Sequence, residues 1–104
     1  MIARIWHGRT SRENAEAYES LLRSEVLPGI ADRGIPGYRG AHVLRREIDK
    51  GVEFVTVLWF DSPDAVRRFA GDDPEAAYVP PRARELLSDF DDRSAHYQVV
   101  LAPD

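Results

Sequence analysis

Two of the three histidines are the residues of this chain best suited to acid–base chemistry. His7 lies in an apolar run at residues 2–9, and His96 precedes Tyr97 in another run near the end. Histidine titrates near neutrality, so it could take the proton of a phenol or hydroxyquinone and produce an electron-rich anion that reacts with oxygen. His7 is therefore the first candidate catalytic residue and His96 a weaker one. A structural histidine bonded to backbone is the alternative for His7, and an interface histidine is the alternative for His96.

Other kinds of reactive site are missing from the sequence. There is no cysteine, which removes disulfides, thiolate nucleophiles and cysteine-bound metals together. The histidines at positions 7, 42 and 96 lack the spacing of metal ligands, and no glycine-rich phosphate loop or serine-nucleophile elbow is present. The acidic run Asp89, Asp91 and Asp92 is typical of a solvated loop. We therefore expect no metal and no cofactor.

Length and charge limit the class of protein. The 104 residues predict a single domain covering residues 1–104. A net charge of −4 with no stripe of basic residues argues against nucleic-acid binding. No run approaches the roughly 18 apolar residues of a membrane span, and the N-terminus lacks a signal-peptide pattern. A cytoplasmic protein with no membrane contact is the expectation.

The order of the periodic segments indicates which elements position these residues. Strand-like runs cover residues 2–9, 38–47, 52–60 and 94–101. A capping box at residues 10–13 begins the first helical run, which Pro28 and Gly29 kink or end. Ser62, Pro63 and Asp64 begin the second, and residues 82–87 resemble a third short helix. The order β-α-β-β-α-β predicts an α+β, ferredoxin-like domain with an antiparallel sheet and helices on one face.

Alternation along the strands divides the residues between the two faces of this sheet. Both faces of residues 2–9 are largely apolar, and we assign His7, with Ala3 and Ile5, to the face that the helices cover. On the third strand the same face carries Thr56 and its even-numbered neighbours. An apolar slot there would suit a flat aromatic ligand, although the same residues also fit a plain core. The residues assigned to substrate binding are Ile5, Phe54, Thr56, Phe60, Phe69 and Tyr78.

The opposite face is assigned to a dimer interface. Arg4 and Glu53 could form an ion pair inside the dimer, with Trp6 and Trp59 as anchors. Ile2, Val55 and Val57 widen the apolar surface, and exposed patches of this size are rare on monomers. We expect a homodimer that buries about 1,500–2,500 Å² in total.

Four short stretches resemble the antibiotic biosynthesis monooxygenase family of dimeric α/β barrels. They are residues 1–9, 60–65, 69–73 and 96–100, and their order and spacing carry the resemblance. The resemblance implies a homodimer whose two sheets close face to face into a barrel, with a pocket between sheet and helices in each subunit. Members of the family include cofactor-independent oxygenases of aromatic polyketides, quinol oxygenases and heme-degrading enzymes.

The chain departs from these branches at informative positions. The residues that match the heme-degrading site are Ile5, Phe69 and Tyr78, which argues against heme degradation. Thr56 stands where the aromatic-polyketide oxygenases carry an asparagine. Two hypotheses follow: a cofactor-independent monooxygenase acting on an aromatic or quinone-like metabolite, or a non-catalytic dimeric domain that binds a small ligand or acts as a scaffold. One fold hosts many functions, so the shape alone does not choose between them.

Overall fold

An antiparallel sheet carries helices on one of its faces in the computed structural model, which describes residues 1–103. The strands are β1 (Ile2–Thr10), β2 (Tyr38–Ile48), β3 (Gly51–Phe60), β4 (Leu87–Phe90) and β5 (Ala95–Gln98), and the helices are α1 (Arg12–Leu21), α2 (Leu27–Asp32), α3 (Pro63–Ala70) and α4 (Pro81–Leu86). The predicted α+β, ferredoxin-like architecture is confirmed. None of these helices has the length and hydrophobicity that crossing a bilayer would require.

The strand order is β2-β3-β1, and two short strands share the far edge of β1. β4 pairs with residues 8–10 and β5 with residues 2–5, so together they occupy the place of the fourth ferredoxin-like strand. Two expectations need correction here. The third short helix ends at Leu86, because Leu87 and Phe90 turn inward to pack on the core as β4. The acidic run, which was predicted to be a solvated loop, therefore begins on β4, an edge strand that is hydrogen-bonded to β1.

The first helical run also differs from the sequence expectation in detail. Ser11, one residue later than the start of the predicted capping box, accepts the N-cap hydrogen bond from the Asn14 backbone N–H at 3.2 Å. Helix α1 then passes through a π turn (Leu22–Val26) into α2, which continues past Pro28 and Gly29 to Asp32. Proline lacks the backbone N–H and crowds the preceding turn. We attribute the continuation to the wider π turn, which relieves that crowding.

The pairing of β1 with β3 decides which residues share a face. Trp6 lies opposite Thr56, and Arg4 lies opposite Leu58. Residues directly opposite each other in an antiparallel pair point to the same side of the sheet. Even-numbered residues of both strands therefore face the helices, and odd-numbered residues face the uncovered side. The assignment made from the sequence was wrong for β1, because both of its faces are largely apolar and alternation could not distinguish them.

The covered face holds the core in two neighbouring clusters. In the first, Phe54 is fully buried and its ring meets Tyr18 edge to face, with centroids 4.9 Å apart. In the second, Phe60 is fully buried beside Phe69 at 5.5 Å. Ile2 packs against this second cluster, so it does not contribute to the open face as expected. The candidate site is a cavity between the sheet and the helices, lined in part by members of both clusters.

Candidate functional site

A cavity of about 540 Å³ lies between the sheet and the helices. Its floor is formed by residues of β1 and β3: Arg4, Trp6, Thr56 and Leu58. Its roof comes from α1, the π turn and α2, with Leu21, Leu22 and Ile30 among the contributors, and the segment 78–83 closes one side. The lining is mostly apolar with a few polar groups. This size and composition are typical of small-molecule pockets, which measure about 300–1,000 Å³.

The Trp6 ring has room to lie across the cavity floor because Gly8, the next residue on this face of β1, has no side chain. An added Cβ on Gly8, two residues along the same face, would lie only 2.7 Å from Trp6 Cη2. A side chain at position 8 would therefore force the indole to move. Trp6 Nε1 donates to the backbone oxygen of Asp91 at 2.7 Å, which satisfies its polar atom and leaves the ring as an apolar wall.

Arg4 is the buried charge of the site, with 5% of its surface exposed. Its Nη1 donates to the backbone oxygen of Pro74 and lies 2.8 Å from His96 Nε2, while Nη2 donates to Ala76 O at 3.1 Å. The guanidinium also stacks over the Phe69 ring at 5.3 Å. Burial lowers the pKa of Arg4, and the negative charge of Glu75 acts in the opposite direction.

His96 supports Arg4 from outside the cavity lining. A guanidinium only donates hydrogen bonds, so His96 Nε2 must accept, and the imidazole is neutral with its proton on Nδ1. Burial lowers the pKa of His96, and the adjacent positive charge of Arg4 lowers it further. His96 therefore faces the helix side of the sheet, and Tyr97, opposite Ala3, faces the open side.

Hydroxyl-bearing residues supply the other polar groups of the lining. Tyr18 is 1% exposed, and burial raises its pKa to about 12. Its phenol is therefore neutral at physiological pH and does not act as a base. Thr56 on the floor and Ser94 on the wall add two smaller hydroxyls.

Charged side chains line the mouth of the cavity. Glu25 on the π turn and Arg82 on α4 form an ion pair at 2.6 Å. Arg33 lies over the Phe69 ring, 5.0 Å from its centroid, and donates to Phe69 O at 3.1 Å. Tyr78 is 78% exposed at this rim. Ligand entry would have to pass these groups.

The structure brings together only part of the predicted slot. Thr56, Phe69 and Tyr78 line the cavity. Phe54 and Phe60 lie on the same side of the sheet, but they are fully buried in the core clusters and pack behind the lining. Ile5 was placed wrongly, because it pairs with Val57 on the open face.

The first catalytic candidate, His7, also lies on the open face of the sheet. It sits opposite Val55, and its Nδ1 is 2.9 Å from Asp91 Oδ2. Arg9 lies 3.5 Å from the other oxygen of Asp91. The assignment of His7 to the pocket was wrong because the predicted register of β1 was inverted. Asp91, a member of the acidic run, is the direct partner of His7.

The four residues assigned to the dimer interior divide between the two faces. Arg4 and Trp6 line the cavity, so the expected ion pair with Glu53 does not form. Glu53 instead binds Arg46 at 2.8 Å and Arg9 at 3.2 Å, and the hydrogen bond from Arg46 is the main cause that lowers its pKa. Trp59 lies on the open face, where its Nε1 is 2.8 Å from His42 Nδ1.

The helix residues of the lining were missed from the sequence. Tyr18, Leu21 and Leu22 lie on the apolar stripe of an amphipathic helix, which a cavity wall and a packed core produce alike. Gly8 was the one available signal for Trp6, because a glycine within a strand often marks a close approach by another group. Within residues 1–103, no group of three potential metal ligands comes together.

Two solved structures share this fold over almost the whole chain. A protein from Bacillus cereus described as an antibiotic biosynthesis monooxygenase has a TM-score of 0.69 and 14% identity, covering 100% of this chain and 95% of its own. A monooxygenase from the gene ActVA-Orf6 of Streptomyces coelicolor, in complex with nanaomycin D, has a TM-score of 0.57 and 16% identity, covering 99% and 92%. No family model and no curated protein matches the sequence. The chain therefore has the fold of antibiotic biosynthesis monooxygenases, which confirms the resemblance at the level of the fold.

Proposed function

We propose that this chain is a small cytoplasmic homodimer that takes a flat aromatic or quinone-like metabolite into the cavity and oxidises it with molecular oxygen, without a cofactor. The observation that carries the proposal is the apolar cavity between sheet and helices, which has Trp6 and Phe69 as aromatic walls. Its volume of about 540 Å³ is sufficient for a fused-ring compound. The fold shared with monooxygenases supports the reaction class.

The chemistry requires a substrate that forms a stabilised anion. For an anthrone, loss of a proton from the ring methylene gives a carbanion that passes electrons to oxygen and forms a peroxide. Loss of water from the peroxide leaves a ketone, so one methylene and one O₂ give one carbonyl and one H₂O. Holding the anion and oxygen together in a dry site would lower the barrier through orientation.

Dimerisation through the open sheet face is part of the proposal. This face carries the apolar side chains Ala3, Ile5, Leu44, Val55, Val57, Trp59 and Tyr97. Ala3 and Val57 are already buried by their neighbours, whereas Leu44 is 53% and Tyr97 58% exposed in the single chain, and an exposed apolar surface favours a partner. A second copy of this chain would cover it and place His7 inside the dimer.

A non-catalytic ligand-binding domain is the second candidate, and one observation favours it. The cavity lining contains no histidine among the described residues, and its carboxylate, Glu25, is ion-paired with Arg82. A substrate that ionises by itself would be needed for turnover. A ligand that is only bound would need no base at all.

Oxygen uptake with 1,8-dihydroxyanthrone separates the two candidates. We expect the chelator-treated protein to consume oxygen about 10²-fold faster than buffer, a modest contribution for an orienting site. Thr56→Phe should return the rate to that of buffer, because the larger ring fills the cavity floor. Thr56→Val is the matched control and should retain the rate within about 10-fold, since it keeps the shape and removes only a hydroxyl, whose hydrogen bond contributes about 0.5–1.5 kcal/mol. Binding of the anthrone without oxygen uptake would contradict the oxygenase and support the binding domain.

A further inference from the structure

We propose that the cavity selects an aromatic ligand in its anionic form and that the Arg4 guanidinium holds the ionised oxygen. The inference rests on the proposed function in one respect, namely that a flat aromatic compound occupies this cavity. It adds the chemical class of the compound: a ring system bearing an acidic hydroxyl or a carboxyl group that is ionised at neutral pH.

Arg4 keeps its charge without a carboxylate partner. Buried arginines are normally paired with an acid. Arg4 forms no salt bridge with any residue of the part of the chain that the structure describes. Its neighbours are two backbone carbonyls, an imidazole lone pair and the face of Phe69. Glu75 influences Arg4 from further away, but it is exposed and lies 3.7 Å from Arg93. An uncompensated cation in an apolar cavity favours a ligand that supplies the negative charge.

Arg4 also has N–H donors that remain free to bind a ligand. A guanidinium has five N–H groups. The observed hydrogen bonds use two on Nη1 and one on Nη2, which leaves Nε–H and one Nη2–H among the contacts described. Hydrogen bonds from a cation to an oxyanion are about twice as strong as neutral ones. The same group can therefore be held by the protein on one side and bind a ligand with its remaining donors.

The lining of the cavity carries an excess of positive charge. The residues around the cavity include three arginines, at positions 4, 33 and 82, against one acid, Glu25. The whole chain carries a formal net charge of −4. The cavity is thus locally positive in a protein that is negative overall. Such a local field attracts anions and raises their concentration at the mouth.

His96 has a positioning role in this arrangement. Its neutral Nε2 accepts from Arg4 Nη1 at 2.8 Å, which fixes the orientation of the guanidinium without neutralising its charge. A carboxylate in this place would have satisfied Arg4 and removed its affinity for an anionic ligand. His96 acts through Arg4 and lies behind the cavity lining.

Calorimetric titration with a matched pair of ligands tests the inference. The probes are 2-hydroxy-1,4-naphthoquinone, which is an anion at neutral pH, and its 2-methoxy ether, which has nearly the same shape and no charge. We expect the wild-type protein to bind the anion about 10–100-fold more tightly, as one charge-assisted contact provides. Arg4→Gln should reduce this preference to about threefold or less, Arg4→Lys should retain part of it, and Arg33→Gln at the mouth should retain most of it. His96→Phe should weaken anion binding while leaving binding of the ether unchanged.

The outcomes separate the inference from the proposed function. Equal binding of both probes by the wild-type protein would overturn the inference and leave the aromatic cavity intact. Binding of neither probe would overturn the proposed function itself. Circular dichroism would reveal whether Arg4→Gln folds. If it does not fold, the difference in affinity of the wild-type protein for the two probes still tests whether the cavity prefers the anion.

Discussion

Replacing Phe54 by alanine is expected to lower the free energy of unfolding by about 3–5 kcal/mol. Phe54 has no exposed surface, and its ring meets Tyr18 edge to face at 4.9 Å. Across the pair of strands it faces Gly8, which has no side chain that could expand into the space. The loss therefore combines the transfer of a buried ring with the cost of the cavity that it leaves. Urea unfolding at a fixed protein concentration measures the change.

An exposed aromatic residue provides the control for this substitution. Tyr78 is 78% exposed, so Tyr78→Ala should change the free energy of unfolding by about 0.5 kcal/mol or less. If Phe54→Ala had an effect as small as that of Tyr78→Ala, Phe54 would not be a core residue. A large effect would also agree with the position of Phe54 in the core, behind the residues that line the cavity.

Replacing Trp59 by aspartate is expected to convert the proposed dimer into a monomer. The dimer would bury position 59 of both copies between the two open sheet faces, so each association of the variant would bury two unpaired carboxylates. We expect the dissociation constant to rise by at least roughly 10³-fold, because each buried charge still costs several kcal/mol after relaxation. Light scattering during size-exclusion chromatography at low micromolar concentration measures the molar mass.

Trp59→Phe is the matched variant for the dimer. It keeps an aromatic apolar surface and removes only the hydrogen bond to His42, so it should remain dimeric. A wild-type protein that runs as a monomer would contradict the proposed dimer directly. Circular dichroism separates loss of the dimer from loss of the fold in Trp59→Asp.

The order of the elements could be predicted from the sequence because local signals mark it. Ser11 and Ser62 cap the two main helices, and Gly51 at the start of β3 has a positive φ of 153°. The place of the cavity followed from the fold, and the register of β3 placed Thr56 on its floor. These features depend on residues close together in the chain or on a clear alternation.

The register of β1 could not be predicted, and the reason is physical. Arg4 and Trp6 alternate with Ile5 and His7, so neither face is plainly the apolar one. Hydrophobicity alone would place an arginine toward water. Arg4 is buried because Pro74 and Ala76, some 70 residues further along the chain, supply backbone oxygens to it. No local pattern in the sequence reveals that compensation.

The position of His7 was mispredicted because of the same inverted register of β1. Its chemistry suggested a base, and the inverted register placed it with the pocket. Asp91 lies 2.9 Å from His7, but it belongs to the acidic run, whose composition predicts a solvated loop. The pairing of β4 with β1 brings the two together, and that pairing depends on Leu87 and Phe90 packing on the core.

Fluorine NMR of protein labelled with 5-fluorotryptophan tests the central claim, that an aromatic ligand occupies the cavity between sheet and helices. The chain has two tryptophans, and they lie on opposite faces of the sheet: Trp6 on the cavity floor and Trp59 on the open side. Trp6→Phe and Trp59→Phe assign the two signals. On addition of 2-hydroxy-1,4-naphthoquinone, we expect the Trp6 signal to shift in a saturable manner while the Trp59 signal stays in place. A saturable shift of Trp59 with Trp6 unchanged would place the ligand on the other side of the sheet and contradict the account.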